Sequence, residues 1–244
     1  MNFIFDVDGT LTPSRGEINP EFKEYLLDFI SNNKVYLATG SDYPKTVEQL
    51  GAEICKNVEA SYNCSGNSVW VKGKEIYSSE WKLPELAVYF LNSCLYESGF
   101  PLRTGTHIEE RAGTVNFSVI GRNCTIEERA EYVSYDNKFN ERHTIAAAFN
   151  TMFPNLEAKV GGDTGIDIFP KGLDKSQIAE HIKGATIFFG DKMMLGGNDR
   201  PLAEKLVKRF GCRAIQVEDW KDTWKRMKAL RFTLVTIIRN WKKL

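Results

Sequence analysis

MNFIFDVDGT, residues 1–10, opens on a short apolar run, Phe3, Ile4 and Phe5, that ends abruptly in two carboxylates, Asp6 and Asp8, and a glycine. Such a run, rich in aromatic and β-branched residues, reads as a buried strand. The segment that follows, EFKEYLLDFISNN at residues 21–33, repeats Phe22, Tyr25, Leu26, Phe29 and Ile30 at helical spacing, and KVYLATGS at residues 34–41 is a second buried-type strand. Together they predict a βαβ unit, whose crossover makes the two strands parallel. Near the other end, ATIFFGD (185–191) is a further strand that stops at Gly-Asp, while EKLVKRFG (204–211) and CRAIQV (212–217) supply another helix and strand. The two ends of the chain are therefore expected to share one α/β parallel sheet.

Between them the pattern changes. LPELAVYFLNSCLYESG (83–99) and RAEYVSYDNKFNERHTIAAAFNTM (129–152) are helical, and HIEERAGTVNFSVIG (107–121) alternates like paired strands. Helices with antiparallel strands predict an α+β unit inserted into the core. The expected division is a core of residues 1–79 and 173–244 and a cap of residues 80–172, with short hinges near SSEWK (78–82) and PKGLDK (170–175).

Composition narrows the functional classes. Lys and Arg together number 32, as do Asp and Glu, so no basic excess favours nucleic acid as a partner. Five cysteines, odd in number and lacking any CxxC pair, argue against a disulfide framework or a zinc site and predict a reducing cytoplasm. The start of the chain has no basic segment leading into an apolar stretch and cleavage site. The apolar run of residues 232–238 is far shorter than the roughly 20 residues of a spanning helix, so no membrane span is expected.

The chemistry is expected where the strands end. Asp6 and Asp8 are two residues apart, so in extended backbone both side chains point the same way, into the crevice where open α/β sheets bind ligands. Paired carboxylates there fit phosphoryl transfer, with Asp6 as nucleophile and Asp8 as general acid/base. A bound Mg²⁺ would offset the repulsion between carboxylate and phosphate dianion. TGSD ends the second strand and offers the Ser41 hydroxyl and backbone N–H groups to a phosphate at a helix N-terminus. GLDKS places Lys175 as charge neutraliser, and FFGD places Asp191 as a metal ligand beside Asp6 and Asp8. Each piece alone has an ordinary reading as a turn or helix cap; their order along the chain, each at a strand end, favours the functional one.

With those motifs in place, the chain resembles the haloacid-dehalogenase superfamily and, within it, the eukaryotic-type phosphomannomutases. The resemblance runs through FDVDGTLTPSR (5–15), TGSDYPKTVEQLG (39–51), IEERAGTVNFSVIGRNCTIEERAEY (108–132), GIDIFPKGLDK (165–175) and IFFGDKMMLGGND (187–199), and reaches about Val217. It implies a haloacid-dehalogenase-like Rossmannoid core with an inserted α+β cap of the C2b type. It also implies interconversion of mannose 6-phosphate and mannose 1-phosphate through a phosphorylated Asp6 and a hexose bisphosphate, with Mg²⁺ as cofactor and hexose 1,6-bisphosphate as activator. By the same resemblance Arg111, Arg122 and Arg129 bind the distal phosphate, where planar guanidinium groups suit bidentate contact. Asp167 binds a sugar hydroxyl, Arg15 contacts substrate, and cap closure excludes water. A homodimer through the cap and a product feeding GDP-mannose synthesis are further implications.

The chain departs from the family at three places; in the first, RPLAEKLVKRFG (200–211) after GGND does not reproduce the family's additional ligands for a further ion, so one essential Mg²⁺ is expected. Gly165 stands where a serine usually completes the distal phosphate site, a loss typically worth about 1.5–3 kcal/mol for a hydrogen bond to a charged group. His107 stands where the cap seam usually has a phenylalanine. Three readings thus remain open: a hexose-phosphate mutase, favoured by the three arginines; a sugar-phosphate phosphatase on the same scaffold, favoured by Gly165; and a non-catalytic binding relative. His107, His143 and His181 are expected to be ordinary half-buried or surface residues, since nothing is spaced to them as a metal partner. The terminal stretch KDTWKRMKALRFTLVTIIRNWKKL (221–244) lies beyond the resemblance and is expected to pack on the core rather than on a membrane surface or a partner.

Overall fold

The computed structural model describes residues 1–14 and 16–241, with side chains inside the last helix described through residue 230. In chain order the elements are β1 (Asn2–Phe5), α1 (Pro20–Asn32), β2 (Lys34–Ala38), α2 (Tyr43–Leu50), α3 (Ala52–Asn57), β3 (Ala60–Asn63), β4 (Ser68–Val71) and β5 (Lys74–Ser78). There follow α4 (Glu85–Glu97), β6 (Ile108–Arg111), β7 (Thr114–Phe117), α5 (Ile126–Phe139), α6 (Glu141–Met152), β8 (Leu156–Gly161) and β9 (Gly165–Pro170). The chain then runs through α7 (Ile178–His181), β10 (Thr186–Gly190), α8 (Arg200–Val207), β11 (Arg213–Gln216) and α9 (Trp220–Trp241). They form two compact units, one from Met1–Tyr77 with the chain from Asp174 onward, the other Ser78–Leu173.

The first unit is built on a seven-stranded sheet of order β11-β10-β1-β2-β3-β4-β5. The strands from β11 to β3 are parallel, whereas β4 returns antiparallel to β3. All four residues of β1 are buried because the strand lies between β10 and β2, so no polar face is needed. Helix α1 starts cleanly because Asn19 accepts hydrogen bonds from the Glu21 and Phe22 N–H groups and Pro20 occupies the first turn. Its buried Phe22, Leu26, Phe29 and Ile30 face the sheet; the Phe29 ring meets Phe3 edge-on at 4.8 Å, and Phe5 stacks on Phe189 at 5.0 Å. The described part of α9 also packs here, with Trp224 stacked on Phe22 at 5.4 Å and Met227 fully buried. The rest of that stretch lies outside the described side chains. Among the described residues no helix is long and apolar enough to cross a membrane.

The second unit is a four-stranded antiparallel sheet of order β6-β7-β9-β8 with helices α4, α5 and α6. Its register places Ile108, Phe117, Ile166 and Val160 in one row, and Val115, Ile168 and Ala158 in the next, on the face that joins Leu91, Tyr132 and Phe149 in an apolar core. The alternate positions Glu109, Asn116, Asp167 and Lys159 are mutually paired across the four strands and therefore share the opposite, polar face. The helical pattern over residues 129–152 is divided at Asn140, which takes a left-handed conformation with φ 54° and separates α5 from α6. Asparagine tolerates that conformation, which periodicity does not register. There the Arg142 guanidinium, nearly buried, pairs with Asp136 at 2.7 Å and donates to the Gly162 carbonyl at 2.9 Å.

Candidate active site

Asp6 follows directly on β1, and its N–H donates to the Phe189 carbonyl at 2.9 Å, so the central strand delivers it beside the end of β10. Gly190 and Asp191 come next on that neighbour, while Thr39 to Ser41 follow β2. The tight turn after β1 needs Gly9: its φ is +77°, and a Cβ there would lie 2.4 Å from the Asp191 Oδ2. This packing brings the first and last acidic motifs together.

Lys175, 1% exposed, donates from Nζ to Asp6 Oδ1 and to Asp199 Oδ1, both at 2.7 Å. The Asp174 side chain caps the turn of Lys175–Gln177 that carries it by accepting from the Ser176 N–H. Asp6, Asp191 and Asp199 each offer a carboxylate oxygen within 4.8 Å of the others. Three carboxylates against one ammonium leave two negative charges when all are ionised. Burial, then the Asp199 charge, push the Asp6 carboxyl up from 3.8 to about 8, with Lys175 opposing and Asp191 adding to the rise. Burial pulls the Lys175 ammonium down, but Asp199 and Asp6 outweigh it and hold its pKa above the ordinary lysine value. Asp191 is likewise raised, first by burial, and its Oδ1 is buried with no hydrogen-bond partner.

That acceptor without a donor, the hard oxygen set and the net negative charge fit a divalent cation such as Mg²⁺. The three carboxylates are not equivalent, however. Asp199 is fully buried, with Oδ1 on Lys175 and Oδ2 accepting from the Lys192 N–H at 3.0 Å, so it is better placed to anchor the lysine than to hold an ion. Asp6 and Asp191 are the better ligands.

The Asp8 side chain lies in a different set of contacts. It accepts from Ser41 Oγ at 3.3 Å and from Gln49 Nε2 at 2.9 Å, and it is not among the clustered carboxylates. Its oxygens face a serine and an amide, a setting suited to a positioned acid/base. Ser41 is held by its N–H on Thr39 Oγ1 at 3.1 Å and by its carbonyl, which accepts from Cys64 N–H at 3.0 Å. Asp42, not Ser41, caps α2 by accepting from the Lys45 N–H.

In the cap unit, Arg111 ends β6, Arg122 sits in the turn after β7 and Arg129 lies in the first turns of α5. The Arg111 Nη2 and Arg122 Nε both reach Glu109 Oε2, at 2.7 and 2.9 Å. The Arg129 Nη1 forms an ion pair with Asp163 at 3.6 Å, too long for a hydrogen bond, and is buried with no hydrogen-bond partner. Asp167 Oδ1 accepts from Asn116 Nδ2 at 2.7 Å. The space beside Gly165 is occupied by that same amide: a Cβ at 165 would stand 2.6 Å from Asn116 Nδ2. Arg15 lies outside the described residues. His107 Nδ1 is 3.0 Å from the Ser118 carbonyl and is only half-buried.

Four residues of this arrangement lie inside the quoted stretches, yet the motifs assign them no role. Asp199 precedes Arg-Pro and looks like a helix cap, yet its side chain makes no cap hydrogen bond and turns inward to Lys175. Gln49 is a polar residue on the buried face of α2, the signal that could have found it. Glu109 and Asn116 are visible only through the pairing of β6 with β7.

A family model of eukaryotic phosphomannomutase matches residues 22–232. The phosphomannomutase of Saccharomyces cerevisiae is 37% identical over 209 residues, covering 80% of this chain and 82% of its own. That of Arabidopsis thaliana is 34% identical over 212 residues, covering 82% and 86%. Among solved structures, an IMP-nucleotidase of Plasmodium falciparum superposes with a TM-score of 0.62 at 15% identity, over 95% of this chain and 68% of that one. A haloacid dehalogenase-like hydrolase of Bacteroides thetaiotaomicron gives 0.58 at 14% identity, over 94% and 98%. The structural likeness shows a haloacid dehalogenase-like fold, and with the extent of the sequence match it follows that the chain belongs to the eukaryotic phosphomannomutase family.

Proposed function

We propose that the chain is a magnesium-dependent phosphomannomutase that interconverts mannose 6-phosphate and mannose 1-phosphate. The observation that carries the reading is a division of charge: a buried acidic nucleophile site centred on Asp6 in one unit and converging arginines, Arg111 and Arg122, in the other. A phosphatase needs one phosphate subsite, whereas transfer back to the other end of a sugar needs two.

Phosphorylated Asp6 gives its phosphoryl group to the free hydroxyl of the bound hexose phosphate, whose proton Asp8 takes as the aspartyl O–P bond breaks; the hexose bisphosphate turns round, and a carboxylate oxygen of Asp6 attacks its other phosphorus as the bond to the sugar oxygen breaks and Asp8 gives that oxygen its proton. Lys175 keeps Asp6 oriented and shares its charge with Asp199. Asp6 and Asp191, with Asp8 beside them, would hold the metal, which when bound supplies neutralisation of the phosphoryl oxygens. Ser41 donates to the transferring group, and Arg111, Arg122 and Arg129 hold the second phosphate while Asp167 reads a sugar hydroxyl. Activation by hexose 1,6-bisphosphate, a cap-mediated homodimer, a cytoplasmic site and a product used for GDP-mannose synthesis complete this reading.

Gly165 favours one alternative, a sugar-phosphate phosphatase, because it supplies no hydroxyl to the distal site. Phosphorus-31 NMR of the protein with mannose 1-phosphate, Mg²⁺ and a trace of hexose 1,6-bisphosphate separates the two. Growth of mannose 6-phosphate supports the mutase, inorganic phosphate alone supports the phosphatase, and turnover surviving in Asp6→Asn would sink the nucleophile assignment.

A further inference from the structure

We propose that Glu109 is an internal anion that occupies Arg111 and Arg122 between substrate-bound states and competes with the distal phosphate for them. The inference rests on the proposed phosphate role of the cap arginines and adds a part that none of those residues supplies. One carboxylate oxygen, Glu109 Oε2, takes both guanidinium groups, at 2.7 and 2.9 Å. The two arginines come from different parts of the hairpin, the end of β6 and the turn after β7, and the Arg122 N–H is tied to the Thr106 carbonyl at 2.8 Å. All three side chains are about one-fifth to one-third exposed, at 21%, 28% and 35%, so the pairing adds little to stability and its geometry asks for another explanation. A monodentate oxygen shared by two guanidinium groups is the arrangement a phosphate oxygen also adopts.

Glu109 offsets part of the positive charge of Arg111 and Arg122, as Asp163 at 3.6 Å does for Arg129. A dianion bound there would leave slowly. A mutase must release each end of its bisphosphate in turn, so a site that offers its own carboxylate to the departing phosphate's arginines offsets the loss of the ligand. Glu109 shares a cross-strand row with Asn116 and Asp167, so its return also restores the polar face on which the sugar is read. Its role is positional and competitive: it touches the arginines and forms no bond to the reacting atoms.

The test is calorimetric titration of mannose 1,6-bisphosphate onto the Asp6→Asn protein, in which no transfer occurs, with and without Glu109→Gln. The bisphosphate should bind about tenfold tighter to the double variant at low salt, the order expected for withdrawing one unit charge from a half-exposed site, and the difference should shrink as salt rises. Glu109→Ala should tighten binding likewise, and in the otherwise native enzyme E109Q should lower KM and kcat together. Unchanged or weaker binding in both variants would overturn the proposal and make Glu109 a support that orients the arginines. Arg122→Gln, titrated in parallel, tests the foundation: weaker binding upholds the distal phosphate site, and unaltered binding removes that reading itself.

Discussion

Replacing Lys175 by methionine keeps the length of the side chain and removes the only positive charge that hydrogen-bonds both Asp6 and Asp199 among the described residues. Lys175 is fully buried, and both of its bonds are 2.7 Å. Breaking a buried pair by deleting one partner typically costs about 3–5 kcal/mol, because the remaining charge stays desolvated. The loss should therefore fall in that range at pH 7, measured by urea unfolding followed through tryptophan fluorescence, with Trp224 on Phe22 reporting the core unit. The pH dependence gives the sharper signature. Asp6 is raised from 3.8 to about 8 with Lys175 present, and removing a group that lowers it carries it higher. Between these values the folded protein holds a proton that the unfolded chain has lost, so stability falls as pH rises through that window and is regained on acidification, by about 1.4 kcal/mol per pH unit for one proton. Lys175→Met in the presence of a chelator should thus become more stable from pH 7 to pH 5, the opposite of ordinary acid unfolding. Added Mg²⁺ should restore part of the loss at pH 7. An unchanged urea midpoint, or stability that declines from pH 7 to pH 5, would refute the reasoning that one buried ammonium compensates these carboxylates.

The same raised Asp6 predicts that Mg²⁺ binding at pH 7 expels about one proton, since the ligating carboxylate must be ionised; calorimetry in buffers of different ionisation enthalpy reads it, and buffer-independent heat would count against it. Gln49→Ala removes the 2.9 Å hydrogen bond that orients Asp8 and should lower kcat about tenfold with KM little changed, a split that steady-state kinetics resolves. Gly165→Ser drives a Cβ to 2.6 Å from the Asn116 amide; it should destabilise the cap by about 1–3 kcal/mol and raise KM by loosening Asp167, whereas improved activity would mean that the site accepts the missing hydroxyl without strain.

Much of the fold and part of the site can be read along the chain, because strands ending in Asp6, Ser41 and Asp191 announce both a parallel sheet and the end at which its ligands bind. The three arginines are likewise visible as residues, although not what they touch. Local periodicity could not report the break at Asn140, whose left-handed backbone is a single-residue event. Nor could it distinguish the carboxylates. Asp8 and Asp199 look alike in sequence, one in DVDGT and the other in GGND, but Asp8 is taken by Ser41 and Gln49 while Asp199 is buried on Lys175.

The amino-acid sequence by itself determined the α/β core with its inserted α+β unit, the acidic motifs at the strand ends and the family, since these depend on spacing and residue type within short segments. Only the tertiary structure decided which charges meet: Lys175 with Asp6, 169 residues apart, Asp167 with Asn116, 51 apart, and Glu109 with two arginines. Hydrogen bonds and charge compensation act over a few ångströms, and the strand pairings that bring distant residues within that reach are not written in any one segment.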